Sequence, residues 1–404
     1  MTRPLRKSPT MKVCFDTFGC RLNRAEALEE EAAYNAAGWE TTKRHSDADL
    51  IVIRGCSVTA RAQHDCEKHI AHLRQRYPFA RFIIQGCLPK PLKTSSGAGR
   101  PVANRTISPI PTRTSRAYLK VQDGCNCKCT FCIVPRFRGK SVSIPFENVI
   151  DKAKRFTDAG YREIVVTGCN LSLYSSQGKG FAELTAELAK LGPARIRIGS
   201  IEPGAAAIET VHAMAENPSV CKFLHLSVQS GSESILSAMR RPYHAKDIDK
   251  LVKNALELMP DIRLGCDIIA GFPGEMDIDH LSTRGLLMRY PFTNGHIFPY
   301  SERPGTPAAD FPGVIPKPIR HERARELADV TSRALTRYAK KFIGKTVEFI
   351  IEDEKEPGGW SAEYLWCKAQ GINAPAPRKS LVQMQVLSAG SDGTLKGRIV
   401  GHGG

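Results

Sequence analysis

Between residues 11 and 87 the apolar positions fall in short runs separated by longer amphipathic stretches. Residues 12–17, 49–53 and 81–85 read as strands. Residues 23–37 are rich in Ala, Glu and Leu and read as a helix ended by Gly38, because a glycine just past the last periodic position accepts the left-handed turn that stops a helix. A second helical stretch reaches about Tyr77. This alternation predicts an N-terminal parallel α/β domain over 11–87. Residues 88–116 are rich in Pro, Ser, Thr, Gly and Arg and read as a linker.

From 117 to 318 the alternation resumes at larger scale. Strand-like runs begin near Ala117, Glu163, Arg195, Lys222, Ile262 and Asn294, with helical patterns such as 145–159, 182–191 and 245–258 between them. Six such units predict a central (β/α)6 partial or closed barrel. Residues 319–343 form a basic, helix-like connector. Beyond it the period becomes two: Val347, Phe349 and Ile351, then Val382, Met384 and Val386, alternate with polar residues as half-buried strands do. Glycine-rich turns at 357–359 and 390–393 complete a small all-β domain over 344–404. The fold class is therefore α/β with a C-terminal β domain, and no internal repeat is visible.

Charge changes the picture. The 58 basic and 41 acidic residues leave a net +17, an excess that suits a polyanionic partner, most often nucleic acid. No window approaches the roughly 18 apolar residues of a membrane span, and the basic start MTRPLRKSPTMKV has no apolar core. The chain reads as cytoplasmic, with no membrane partner. Thirteen cysteines in a reducing compartment point to metal ligation or catalysis rather than disulfides. Cys14, Cys221, Cys266 and Cys367 lie in strand-like runs and read as packing residues.

Six others form two sets. Cys20, Cys56 and Cys87 each follow one of the first three strands, and each is preceded by glycine. In a parallel sheet all three lie on the carboxyl edge, where such folds bind ligands. They are either cluster ligands or three buried strand-end cysteines. Cys125, Cys129 and Cys132 follow the run at 117–121. Structural zinc takes four protein ligands, and this spacing supplies three. An iron–sulfur cluster held by three cysteines keeps one iron open. Cys127 is left over as a bystander.

Cys-x3-Cys-x2-Cys, with Phe131 before the last cysteine, resembles the signature of radical S-adenosylmethionine (SAM) enzymes. With both sets in view, nearly the whole chain resembles a radical SAM methylthiotransferase, a family with a three-cysteine N-terminal domain, a radical barrel and a β domain called TRAM. The stretches that carry the likeness include Thr17-Phe-Gly-Cys-Arg-Leu-Asn23, Gln122-Asp-Gly-Cys-Asn126, Ser200-Ile-Glu-Pro203, His225-Leu-Ser-Val-Gln-Ser-Gly231, Met239-Arg-Arg-Pro-Tyr243, Asp267-Ile-Ile-Ala-Gly-Phe-Pro-Gly-Glu275 and Phe298-Pro-Tyr-Ser-Glu-Arg-Pro-Gly-Thr306. The run from His296 to Thr306 resembles the branch acting on tRNA N6-threonylcarbamoyladenosine. Its neighbour acts on isopentenyladenosine; a third branch, acting on a ribosomal protein, has Glu-Gly-Thr in place of Pro304-Gly-Thr306. The chain departs from the family at Arg54-Gly-Cys56, where Asn-Thr-Cys is usual, at Leu88 after Cys87, at Cys169, and in a shorter 88–116 segment.

The resemblance implies two [4Fe-4S] clusters. Cys125, Cys129 and Cys132 would hold the one that binds and cleaves SAM to a 5′-deoxyadenosyl radical, as an unactivated aromatic C–H requires. Cys20, Cys56 and Cys87 would hold the one that carries the sulfur. Ser227 and Gln229 are candidates for the cofactor ribose; Glu202 and Asn170 for its methionine part or the substrate. Rim-capping roles are the alternative for all four. Implied partners are tRNA, an electron donor such as flavodoxin or ferredoxin, and a sulfur source. In the tail, Trp360, Tyr364 and Trp366 interleave with Lys368, Arg378 and Lys379, which suits either base stacking with phosphate contacts or a small β core. The basic run with Arg320, Arg323, Arg325, Arg333, Arg337, Lys340 and Lys341 either extends that surface or is merely solvated. Arg138 is either a surface arginine or a contact. Removal of the chain beyond about Gly344 is expected to weaken tRNA binding and leave SAM cleavage intact. The rival of another class is a non-catalytic RNA-binding protein with structural zinc.

Overall fold

A computed structural model describes residues 10–89, 110–111, 114–193, 195–354, 356–370 and 377–402, so most of the linker expected at 88–116 lies outside the described residues. The chain divides into two compact units, 1–112 and 113–404.

In the first unit, β1 (Lys12–Thr17), β2 (Glu40–Thr41), β3 (Leu50–Cys56) and β4 (Arg81–Cys87) form one parallel sheet in the order β2-β1-β3-β4. β3 is buried along its whole length because α1 (Arg21–Ala36) and α2 (Ala60–Arg76) accompany a central strand, which explains its unbroken apolar run. Gly38 takes φ 86° two residues past α1, as expected. The Thr59 hydroxyl caps α2 by accepting from the Ala62 amide.

The second unit opens with β5 (Ala117–Lys120), a small hairpin β6 (Gln122–Asp123) and β7 (Val142–Ser143), and between them the short helix α3 (Val134–Arg138). Then α4 (Phe146–Asp158), β8 (Glu163–Thr167), α5 (Phe181–Lys190), β9 (Arg195–Arg197), α6 (Ala205–Glu216), β10 (Phe223–Gln229), α7 (Glu233–Ala238), α8 (Ala245–Leu258), β11 (Arg263–Ala270), α9 (Asp277–Arg289) and β12 (Phe292–Pro299) follow. The strands form two parallel triplets, β5-β8-β9 and β10-β11-β12. A parallel bridge between Ile201 and Leu226 joins the triplets, so the six expected strands make a partial barrel.

Helix α10 (Lys317–Lys340) lies against β12: an added Cβ at Gly295 would come 2.6 Å from the Thr331 hydroxyl. Its basic run is not uniformly solvated. Arg320 and Arg323 are buried, Arg320 donating to the carbonyl of Tyr300 at 3.0 Å and Arg323 to Glu275 at 2.9 Å. Arg325, Arg333, Arg337, Lys340 and Lys341 are exposed. The last strands, β13 (Thr346–Asp353), β14 (Gly358–Ser361), β15 (Trp366–Gln370), β16 (Leu381–Ala389) and β17 (Leu395–His402), close a five-stranded barrel. Val347, Phe349, Ile351, Val382, Met384 and Val386 all point into its core, as their spacing predicts.

Arginines of the central strands β9 and β11 hold this small barrel. Arg195 donates to the Trp360 carbonyl at 3.0 Å, Arg197 to those of Ser361 and Ala362 at 2.8 and 3.1 Å, and Arg263 to that of Glu363 at 3.2 Å. Burial lowers the Arg263 guanidinium to about 10. Above these carbonyls Trp360 stacks on Tyr364 at 4.4 Å, and Tyr364 on Phe223 at 4.9 Å. Tyr364 therefore joins two β structures, and its ring, between Trp360 and Phe223, is not a platform for bases. Lys379 likewise sits 3.7 Å over the Tyr161 ring.

This changes the outcome expected on cutting after Gly344. The cut uncovers Phe223 and takes the tail's carbonyl acceptors from three buried guanidiniums, each loss costing about 1–3 kcal/mol. The truncated chain is expected to lose several degrees of melting temperature and to aggregate. Calorimetry on the two lengths checks this.

Candidate active site

Both cysteine sets gather at carboxyl ends of strands. In the first unit Cys56 and Cys87 are register partners at the ends of β3 and β4, and Cys20 stands at the start of α1, three residues after β1. The preceding glycines have steric reasons. Gly19 takes φ 91°, and a Cβ there would lie 2.8 Å from the Cys56 Cβ and 3.0 Å from its sulfur. Gly86 takes φ 100°, and its Cβ would meet the Gly55 carbonyl at 2.5 Å. The Asn23 amide fastens the rim, donating to the carbonyls of Phe18 and Gly55 at 2.8 and 2.9 Å.

Two departures from the family pattern prove to be one packing arrangement. A Cβ on Gly55 would lie 2.6 Å from Leu88, so the larger residue after Cys87 occupies space that glycine leaves open. Arg54 turns onto α1, pairing with Glu26 at 2.8 Å and Glu30 at 3.0 Å.

In the second unit the hairpin β6–β7 presents the other three cysteines. Gly124 takes φ 67° where a Cβ would strike the Lys140 carbonyl at 2.0 Å, and the Cys125 amide donates to the Gly139 carbonyl at 3.1 Å. The buried Gln122 amide holds the loop through the Gly124 carbonyl at 2.6 Å and Ser141 at 2.8 Å. Arg138 is nearly buried against Asp123 at 3.0 Å and is not a solvated surface charge. Hydrogen bonds from Cys127 bring the Cys125 thiol down to about 6, and hydrogen bonding from Cys127 together with Arg241 brings Cys129 down to about 7. Burial pushes Cys132 up to about 12.

Asn170 and Glu202 join this loop in one network. The Asn170 amide donates to Glu202 Oε2 at 3.0 Å; Arg241 pairs with Glu202 Oε1 and donates to the Cys129 sulfur at 3.0 Å. Cys127 is no bystander in this arrangement, since its sulfur lies 3.7 Å from both Glu202 and Asn170. Ser227 contributes its carbonyl, which accepts from Arg241 at 3.4 Å, while its hydroxyl turns to Asp267 at 3.5 Å. Gln229 ends β10 with φ 64°, a left-handed conformation for a residue with a side chain. Sequence reasoning gave Arg241 no role, although it stands in the quoted Met239–Tyr243 stretch.

It also missed two side-chain clusters. Cys14, Asp16 and His45 offer atoms within 4.8 Å of one another, and so do His225, Asp267 and His296. Both need strand neighbours that no local pattern reveals.

The Radical SAM superfamily profile matches residues 119–287, and Uncharacterized protein family UPF0004 matches residues 12–104. The threonylcarbamoyladenosine tRNA methylthiotransferase MtaB of Thermotoga maritima is 32% identical over 376 residues, 84% of this chain and 86% of that one. The chain belongs to the radical SAM methylthiotransferase family. The tRNA-2-methylthio-N(6)-dimethylallyladenosine synthase of Aquifex aeolicus is 28% identical over 438 residues, covering 96% of this chain and 98% of the relative. Among solved structures, the radical SAM methyltransferase TsrM from Kitasatospora setae, with cobalamin and a [4Fe-4S] cluster bound, superposes with a TM-score of 0.54 at 13% identity, over 74% of this chain and 77% of that one; this likeness concerns the fold. The methylthiotransferase is thus a SAM-dependent radical enzyme, and the zinc-protein alternative falls away. No helix among the described residues is long and apolar enough to cross a membrane.

Proposed function

We propose that this methylthiotransferase places a methylthio group on C2 of N6-threonylcarbamoyladenosine, 3′ of the anticodon in tRNA, with isopentenyladenosine as the second reading. The observation that carries the transfer reaction is the pair of three-cysteine edges, each built by glycines that admit no side chain.

The donor chemistry of the two sets, three free thiols in each, suits two clusters. Cys125, Cys129 and Cys132 would hold one, and Cys20, Cys56 and Cys87 the other. When bound, these groups supply reductive cleavage of SAM and the sulfur for transfer. The chain's own residues set the surroundings. Arg241 places a positive charge beside the Cys129 sulfur, which favours its thiolate form. Glu202, held by Arg241 and Asn170, presents a carboxylate suited to the cofactor's ammonium group. Ser227 and Gln229, on the neighbouring strand end, are proposed to meet its ribose.

Support for a tRNA substrate comes from the net charge of +17 and from relatives named for tRNA modification. Support for the threonylcarbamoyl form comes from the resemblance of the His296–Thr306 stretch. The exposed cations of α10 are among the groups that phosphates would meet. The test is to offer anticodon stem-loop RNA carrying each modification to the reconstituted enzyme and analyse nucleosides by mass spectrometry. Turnover of the threonylcarbamoyl RNA is expected; turnover of the isopentenyl RNA alone moves the assignment to the sister branch. Binding should weaken steeply with salt, by about 0.7–0.9 log units in affinity per tenfold salt for each phosphate neutralised.

A further inference from the structure

We infer that His296, set by Asp267 and His225 on the inner wall of the radical barrel, accepts a hydrogen bond from an N–H of the purine to be modified. This rests on the nucleoside substrate proposed above.

The three residues come from three adjacent parallel strands, β10, β11 and β12. Their face is known from its reverse side: Gly295 abuts Thr331 on α10, so Asn294, His296 and Phe298 point away from that helix. Glycine also makes room on the inner face, since a Cβ on Gly265 would lie 2.4 Å from His225 Nδ1.

One carboxylate oxygen organises both rings. Asp267 Oδ1 lies 3.0 Å from His225 Nε2 and 3.1 Å from His296 Nδ1. Burial opposes the charge on Asp267, but the two imidazoles outweigh it and hold the group well below the usual carboxylate range. An ionised carboxylate only accepts, so both ring nitrogens facing it carry hydrogen. A neutral His296 then keeps its lone pair on Nε2. The Asn294 amide approaches that atom at 3.5 Å, the outer limit of a hydrogen bond, which leaves the lone pair available.

Exposure and connection separate this cluster from buried polar packing. The His296 side chain is 55% exposed and Phe298, two residues on and facing the same way, is 45% exposed. An acceptor beside an open aromatic face is the combination that reads a base removed from its stack. The wall also neighbours the radical centre: the Cys129 sulfur accepts from Arg241 at 3.0 Å, and Arg241 reaches the carbonyl of Ser227, two residues from His225 on β10, at 3.4 Å.

The test compares wild type, H296A, H296Q and D267N as full-length reconstituted chains. The probes are the two modified stem-loop RNAs; the readouts are affinity, kcat and KM, 5′-deoxyadenosine formed per methylthiolated product, and metal content. For H296A, affinity is expected to fall about tenfold, the value of one lost hydrogen bond. KM should rise with it, and SAM cleavage should become uncoupled from product. H296Q, which keeps an acceptor, should recover most of the affinity, whereas D267N, which releases the ring, should resemble H296A. Unchanged affinity and coupling in H296A overturns the inference. So does loss of one metal equivalent from H296A, which would make the trio a metal site. If wild type methylthiolates neither RNA, the substrate reading fails and this inference falls with it; if wild type works and H296A works equally well, only this inference fails.

Discussion

Replacing Cys20, Cys56 and Cys87 together by alanine is expected to leave about four of about eight irons per chain, with SAM cleavage retained and methylthiolation lost. The expectation follows from the division of the chain. These cysteines close a sheet in the unit 1–112, whereas Cys125, Cys129 and Cys132 belong to the unit 113–404, whose own loop is held by Gln122, Gly139 and Lys140. The reverse triple variant at 125, 129 and 132 should also keep about four irons but produce no 5′-deoxyadenosine. Iron and sulfide analysis with product quantification decides both. A triple variant at 20, 56 and 87 that still methylthiolates would dismiss those cysteines as the sulfur site.

Glu163→Gln is expected to destabilise the second unit by about 3–5 kcal/mol, the usual cost of breaking a buried ion pair on one side. Glu163 and Arg197 are both fully buried, 2.7 Å apart, and Arg116 and Arg195 approach the same carboxylate at 3.6 and 3.8 Å. Without that negative charge three guanidiniums lose their common counter-charge. Two of them, Arg195 and Arg197, also grip the C-terminal barrel, so the damage should reach that barrel as well. The pH dependence has a definite sign. Burial alone would raise the Glu163 carboxyl, but the arginines hold it down at about 2. A group depressed in the folded state stabilises above its ordinary value near 4.5 and loses that contribution as pH falls toward about 2. The stability difference between wild type and E163Q should therefore be constant near neutrality and shrink between those values. Denaturant midpoints from pH 7 to pH 3 measure it; a difference that stays constant into acid would exclude the ion pair as its cause.

The residues that were legible share one property: their chemistry is local in sequence. Strands β1, β3 and β4 announce themselves as apolar runs, and the glycine before each cysteine marks a turn that only glycine can make at Gly19 and Gly86. The Cys125–Cys132 spacing places three thiols on one loop whatever surrounds it. Period-two alternation in the tail correctly orients Val347 to Ile351 and Val382 to Val386, because a strand with one buried face must alternate.

The rest depended on partners distant along the chain. Arg241 reaches Cys129 across 112 positions, and Arg197 reaches Ser361 across 164, so neither arginine could be told from a solvated one by its neighbours. Tyr364 has the composition of an RNA platform, yet packing against Trp360 and Phe223 uses its faces; composition states what a side chain can do, and packing decides which opportunity it takes. The same holds for His225, Asp267 and His296, three ordinary strand residues until parallel pairing sets them side by side. The sequence by itself determined the main strands and helices and the spacing of the two cysteine sets, since these rest on local periodicity, and the quoted motif stretches carried the resemblance to the family. Tertiary structure alone decided which charges are buried, which aromatics are occupied and which imidazole is left facing the barrel, because each of those depends on contacts closed between separate elements.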